Sequence, residues 1–386
     1  GMEHVFHALT MVLALLAFKK YLENEAPRNF SNLALLSILA TGFRYESLFF
    51  IFFMCVYLFF IKKEYFQSIA LGLFAMTPVL IYGWISVDHG SFFLPNSLIL
   101  KGNTNDGIVG FLTRVAGNGY RGLSVLILIL ILLIQIFRNI KSAKLSNTPT
   151  LQHSKNAIPM IGFGGFGVQR LFASFGWLIR YEAYLVVIIL FAIAPFADEL
   201  FQKKIGNQVL KFSMVILLLI TFSLRFVPML KNQPKASKNI FDQQIQLADF
   251  LHQYYKNSKV VANDIGAITY FNNIHLLDTY GLGSIEVAKL RKEDHGKFTD
   301  NKKLQAYIYN TAKLQDFEVA LVFDEWVKMP DHFSKVGTLT IQNNYMAGGT
   351  TVSFYAVKKE NTDKLRNQLV EFSKQTPKDV IINIIK

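Results

Sequence analysis

The triplet Arg-Tyr-Glu occurs twice, as Arg44-Tyr45-Glu46 and as Arg180-Tyr181-Glu182, each time between apolar runs. A charged group beside hydrocarbon is costly, so it pairs or faces a wet cavity. An Arg–Glu pair two residues apart can close a tight helical hairpin. An arginine at such a corner can equally hold an anionic lipid headgroup, because its planar fork matches phosphate oxygens. Glu3 and His4 precede the first apolar run, and His7 follows one turn later. They read as a polar helix start or as a carboxylate that orients a sugar. No further ligand has convincing spacing for a metal site, so no residue is assigned to one.

Residues 88–102 are rich in aromatic and apolar side chains although they stand between two spans. Such a loop lies on a bilayer surface or lines a groove for a lipid tail. Pro95 fixes a bend, Asn96 can bond a hydroxyl, and Lys101 can meet a phosphate. An interfacial anchor without chemistry is the other reading. Nearer the C-terminus, Asp264 and Asp278 each follow a short β-rich run and precede a glycine. Ligands gather at the carboxyl ends of strands in α/β sheets, which suits a sugar or acceptor. Asp and Gly are also turn formers.

Gly162-Phe163-Gly164-Gly165-Phe166-Gly167 matches G-x-G-x-x-G in form. No strand precedes it and no acid follows at the required distance, so dinucleotide binding is rejected. Small residues there allow close helix approach or a broken helix in a membrane. The sequence has no P-loop, zinc signature, G-x-S-x-G or D-x-D. A metal-bound nucleotide sugar is therefore not the expected donor. No basic helix or basic–aromatic segment argues for nucleic acid.

The elements that must position these residues follow from composition. The chain has 386 residues, 52% hydrophobic and 17% charged, against about 25% charged in soluble chains. That excludes a disordered chain and an ordinary cytosolic enzyme. Thirty-five Phe against one Cys excludes a disulfide scaffold. The net charge of +13 fits the positive-inside bias of membrane proteins.

Eight apolar runs are candidate spans: Val5–Phe18, Leu33–Phe43, Leu48–Ile61, Phe66–Val87, Leu123–Phe137, Ile158–Ile179, Ala183–Phe196 and Val209–Val227. With Gly1 outside, the basic loops at Lys62–Tyr65 and Arg138–Asn156 fall inside, and the C-terminal part falls outside the cytoplasm. The expected fold is a multi-span α-helical membrane domain (1–230), a linker (231–238) containing Pro234, and a small soluble α/β domain (239–386). The opening Gly-Met-Glu-His lacks a basic leader region, which suggests that the natural start lies upstream.

In order along the chain, Gly1-Met2-Glu3, Arg44-x-Glu46, Leu94-Pro95-Asn96 with Lys101, the second Arg-Tyr-Glu corner, and Asn263-Asp264-x-Gly266 through Asp278-x-x-Gly281-Leu282 resemble bacterial GT-C glycosyltransferases, most of all the arabinofuranosyltransferase-type branch. The resemblance implies an inverting transfer from a polyprenyl-phosphate sugar donor to a cell-envelope glycan or lipid acceptor. It places the reaction at the periplasmic face of the bacterial inner membrane, among membrane lipids. A divalent metal is compatible with it. The general base is expected upstream of residue 1, with Glu3 and Glu46 in support. Arg44, Asn96, Lys101 and Arg180 would hold the donor phosphate and lipid. Glu182, Asp264 and Asp278 would face acceptor or sugar. A flippase for such lipids and a non-catalytic envelope-assembly subunit are the rival classes.

Overall fold

A computed structural model describes residues 3–101, 119–145, 154–172, 183–202, 208–293 and 301–385. The chain forms two compact units, Gly1–Asp88 with Gly102–Met229, and His89–Lys101 with Leu230–Lys386.

The first unit is helical. It holds α1 (His4–Glu23), α2 (Pro27–Phe43), α3 (Ser47–Val56, continued by a π-helical turn, Tyr57–Lys62) and α4 (Tyr65–Asp88). Later come α6 (Gly119–Leu145), α7 (Ser154–Phe172), α8 (Ala183–Gln202) and the start of α9 (Gln208–Asn239). Each of the eight apolar runs falls on one of these helices, as far as the described residues extend. Among the described residues, five helical stretches are long and apolar enough to cross a membrane, those in α1, α4, α6, α8 and α9. α2 and α3 are shorter, and α7 includes Asn156, Gln169 and four glycines that dilute its hydropathy.

Local chemistry sets the corners. Pro27 opens α2, where its missing N–H costs nothing. Lys63, with φ of 60°, ends the π-helical turn in the left-handed conformation. The core joins Met11, Leu15 and Phe18 of α1 to Leu33, Phe50, Met54, Leu71, Leu128 and Ile189. The glycines of α7 serve close approach within an unbroken helix: a Cβ on Gly165 would stand 2.4 Å from the Phe50 ring, and one on Gly164 2.6 Å from Phe53.

The second unit carries a six-stranded mixed sheet of order β2-β1-β3-β5-β4-β6. The strands are β1 (Lys259–Ala262), β2 (His275–Asp278), β3 (Val319–Val322), β4 (Ser334–Ile341), β5 (Thr351–Ala356) and β6 (Val380–Ile384). β1 pairs in parallel with β2 and β3, and the remaining ladders are antiparallel. Helices α10 (Gln246–Tyr254) and α14 (Thr362–Ser373) cover one face, where Phe250, Leu369 and Phe372 meet Val319, Leu321 and Phe354. α12 (Ile285–Glu293) and α13 (Lys302–Leu314) cover the other, where Val287, Leu304 and Ile308 meet Val261, Ala320 and Val322. Both faces of β1 and β3 are thus buried, which explains their continuous apolar sequences. A six-residue helix, α11 (Gly266–Phe271), links β1 to β2.

Two segments differ from the sequence reading. Residues 231–238, read as a linker, are the last turns of α9, with Pro228 and Pro234 inside the helix. Extending an existing helix is cheaper than starting one, and Asn239 ties its end down by accepting from the backbone N–H of Tyr345 at 2.7 Å. Residues 88–102 are not all loop. Asn96–Lys101 form the short helix α5, which belongs to the second unit and packs on α12.

Gly337 in β4 is pressed between elements, because a Cβ there would stand 2.8 Å from the Asn383 carbonyl and 3.0 Å from Leu369. Gly337→Ala is expected to destabilise the second unit by about 1–3 kcal/mol, read as faster amide hydrogen exchange in β6 and α14.

Candidate functional site

In the first unit, α1 starts and α2 ends at the same polar corner. The α2 backbone leaves the helix at Arg44, which is extended at φ −157°, and α3 starts at Ser47. This tight connection aims the Arg44 guanidinium across at α1. Its Nη1 donates to Glu3 Oε1 at 2.9 Å and stands 3.1 Å from His4 Nδ1, while Nη2 donates to Glu46 Oε1 at 2.5 Å. The Arg44 side chain is only 14% exposed and that of Glu3 44%. Burial works against the Arg44 charge, but the Glu46 carboxylate outweighs it and holds the guanidinium firmly cationic. Partial burial would raise the Glu3 carboxyl, yet its backbone hydrogen bond and the charges of His4 and Arg44 keep it below the usual carboxylate range. The corner is therefore a cation flanked by two carboxylates, able to take an anionic oxygen in exchange for one of them.

Beneath it lies a second polar layer. His7 Nε2 stands 2.8 Å from Ser47 Oγ, which donates to the Ala40 carbonyl at 2.9 Å. The His7 ring lies 4.4 Å from the ring of Tyr184, whose hydroxyl donates to Gln169. Among the described residues, no group of three or more His, Cys, Asp or Glu stands ready to hold a metal.

The structure thus joins Glu3, Arg44 and Glu46 of the sequence-predicted set. Arg180 and Glu182 lie outside the described residues. Lys101 closes α5, and only its backbone is described. Asn96 belongs to the second unit, where its amide donates to the Gly281 carbonyl at 3.1 Å, docking α5 on the turn after β2. Asp264 accepts from Gln244 at 2.8 Å. Asp278 is fully buried, and its two carboxylate oxygens accept from the backbone N–H groups of Tyr280 and Gly283, both at 2.7 Å. That geometry is turn formation, the other reading of these Asp-Gly segments. The same turn is held by Arg291, which donates to the Tyr280 carbonyl and lies 4.1 Å from the Tyr280 ring. Sequence reasoning did not single out Ser47 or Tyr184. Ser47 carries a signal, as the polar residue opening a Phe-rich helix directly after the charged triplet.

The other end of α1 carries a second ionic group. Lys62 pairs with Glu25 at 2.7 Å, and the Tyr21 hydroxyl donates to Glu64. The Lys62 contact lowers the Glu25 carboxyl, whereas burial and the nearby Glu25 charge push Glu64 up.

Two outcomes follow. Asp278→Ala strands two backbone donors and is expected to cost the second unit about 1–3 kcal/mol, measured as a lower unfolding midpoint. A carboxyl raised on folding stabilises below its unfolded pKa and loses that contribution as pH rises through the folded value. Glu64→Gln is accordingly expected to melt higher than wild type at pH 7, with the difference shrinking toward pH 4 in thermal melts.

Residues 238–355, from the end of α9 through most of β5, match the model of a family described as Domain of unknown function (DUF8728). No curated protein matches the chain, and neither does any solved structure.

Proposed function

We propose that this chain is a multi-pass membrane glycosyltransferase of the GT-C type, which takes a sugar from a polyprenyl-phosphate donor and passes it to a glycan or lipid acceptor. The observation that carries this reading is the Arg44 corner. A guanidinium flanked by Glu3 and Glu46 stands at the end of a unit of apolar helices. A lipid-linked phosphate needs both an apolar path for its chain and a cation where the chain ends. Large apolar side chains turned outward, such as Phe66 at 78% exposure and Trp84 at 74%, support embedding in lipid. In this reading the C-terminal unit is extracytoplasmic, on the periplasmic side of a bacterial inner membrane.

The chemistry assigned to the corner is leaving-group stabilisation. As the acceptor hydroxyl gives its proton to the general base and attacks the sugar carbon, the sugar–phosphate bond breaks and negative charge grows on the departing phosphate oxygens. Arg44 meets that charge with its fork. Glu3, the more exposed carboxylate, is placed to bond sugar hydroxyls, and Glu46 keeps the guanidinium in position.

The test uses the full-length protein in lipid nanodiscs. Arg44→Ala is expected to lower binding of undecaprenyl phosphate at least about tenfold and to abolish transfer, because a charge-assisted hydrogen bond contributes about 1.5–3 kcal/mol. Arg44→Lys retains the charge without the fork and should fall between the two. Undiminished phosphate binding in Arg44→Ala would remove the basis of the reading. Binding that depends on Arg44 without any sugar transfer would instead favour a flippase or an assembly subunit.

A further inference from the structure

Residues 89–101 belong to the second unit, and the chain enters them directly from α4. Asn96 and Leu100 stand four apart and so share one face of α5. That face is the docked one. The Asn96 amide donates to the Gly281 carbonyl at 3.1 Å, and a Leu100 methyl lies 3.3 Å from where a Gly281 Cβ would stand. Leu98, midway between them in sequence, falls on the opposite side. It is 43% exposed, and in the turn that leads into the helix Phe93 is 45% and Leu94 41% exposed. The turn itself is well fastened. The Pro95 carbonyl accepts from the backbone N–H groups of Leu98 and Ile99 at 2.9 and 3.2 Å, and the Phe92 ring lies 4.5 Å from the Lys292 ammonium. Three large apolar side chains held outward within six positions form a patch rather than scattered exposures.

The helix that precedes the patch indicates the medium it meets. α4 carries exposed Tyr65 at its start and exposed Tyr82 and Trp84 in its last two turns. Tyr65 and Trp84 are separated by about 28 Å along a helix, which matches a hydrocarbon core of about 30 Å. Tyr and Trp favour the two edges of that core. In a membrane-spanning α4 the Trp84 end is thus the end at a headgroup layer, and Phe93 comes only five residues after Asp88 closes the helix. Cationic residues flank the patch, Lys292 against Phe92 and Lys101 as the last residue of α5. Apolar side chains edged by lysines suit a bilayer surface that contains anionic lipid.

We propose that residues 92–98 are an interfacial anchor, which seats the C-terminal unit on the bilayer by inserting Phe93, Leu94 and Leu98 at the headgroup–acyl boundary. The partner is a lipid surface, not a single lipid tail in a groove. The proposal rests on the membrane-spanning part of the reading above and is independent of sugar transfer. Because Asn96 and Leu100 fasten α5 to the turn after β2, the anchor keeps that turn near the membrane surface.

The test places bimane on single cysteines of the full-length protein, with the chain's one cysteine removed as Cys55→Ala. The labelled positions are Leu94→Cys and Leu98→Cys in the patch, Leu73→Cys in α4 and Leu314→Cys in α13, all at exposed side chains. The protein is held in nanodiscs of phosphatidylcholine and phosphatidylglycerol that carry lipids spin-labelled either near the headgroup or deep in the acyl chain. The shallow spin label is expected to quench the Leu94 and Leu98 probes at least about twofold more than the Leu314 probe, with blue-shifted emission at Leu98. The deep spin label is expected to quench the Leu73 probe. Patch probes quenched no more than the Leu314 probe, beside a quenched Leu73 probe, would reject the anchor alone. An unquenched Leu73 probe would reject the membrane placement of α4 beneath it. Cross-linking of Leu98→Cys between two copies without lipid quenching would assign the face to a second copy of the chain and overturn the proposal.

Discussion

A guanidinium in a nearly dry corner must find counter-charge, and the path of the chain around Arg44 satisfies that requirement. The charge cannot shed its proton, so the fold surrounds it with Glu46 from its own turn and Glu3 from the start of α1. One interaction thereby fixes where α1 begins, how α2 ends and where α3 departs. Breaking either pair leaves a charge at the edge of an apolar helical core. A ligand can replace a carboxylate there only by bringing anionic oxygens of its own.

The C-terminal unit is organised around a different demand, the satisfaction of backbone groups at the ends of short parallel strands. The turn after β2 has its N–H groups bound by Asp278 and one carbonyl bound by Arg291. Asn263 plays the matching part after β1, exchanging two hydrogen bonds with the backbone of Phe323 at 3.0 Å each. These polar side chains cluster where strand ends would receive a ligand in an α/β sheet, and their bonding capacity is largely consumed by the fold itself. Chemistry and architecture compete for the same residue types at the same places.

That competition marks the limit of what the residues disclosed before the fold was in view. Apolar runs such as Phe66–Val87 and Ala183–Phe196 announced their helices through length and composition. β1 and β2 are legible as the short β-rich runs that lead into Asp264 and Asp278. The helix α11 is too short to display a period, and β6 is a brief edge strand near the chain's end. The partnership of Arg44 with Glu46 could be read from two positions of separation, whereas Glu3, forty-one residues away, joins them only through the α1–α2 hairpin. Proline misled at residues 231–238, since Pro234 signals a break locally and the helix continues through it.

The glycine run of α7 has a mechanical corollary. Phe50 and Phe53 of α3 occupy recesses that exist because Gly164 and Gly165 lack side chains. Such ring-in-notch seating acts as a ratchet stop. Sliding α7 by one residue, or turning it by the angle between neighbours, would drive an aromatic edge into main-chain atoms. Its height and rotation beside α3 are therefore indexed by steric exclusion, which a uniformly leucine-lined seam would leave adjustable.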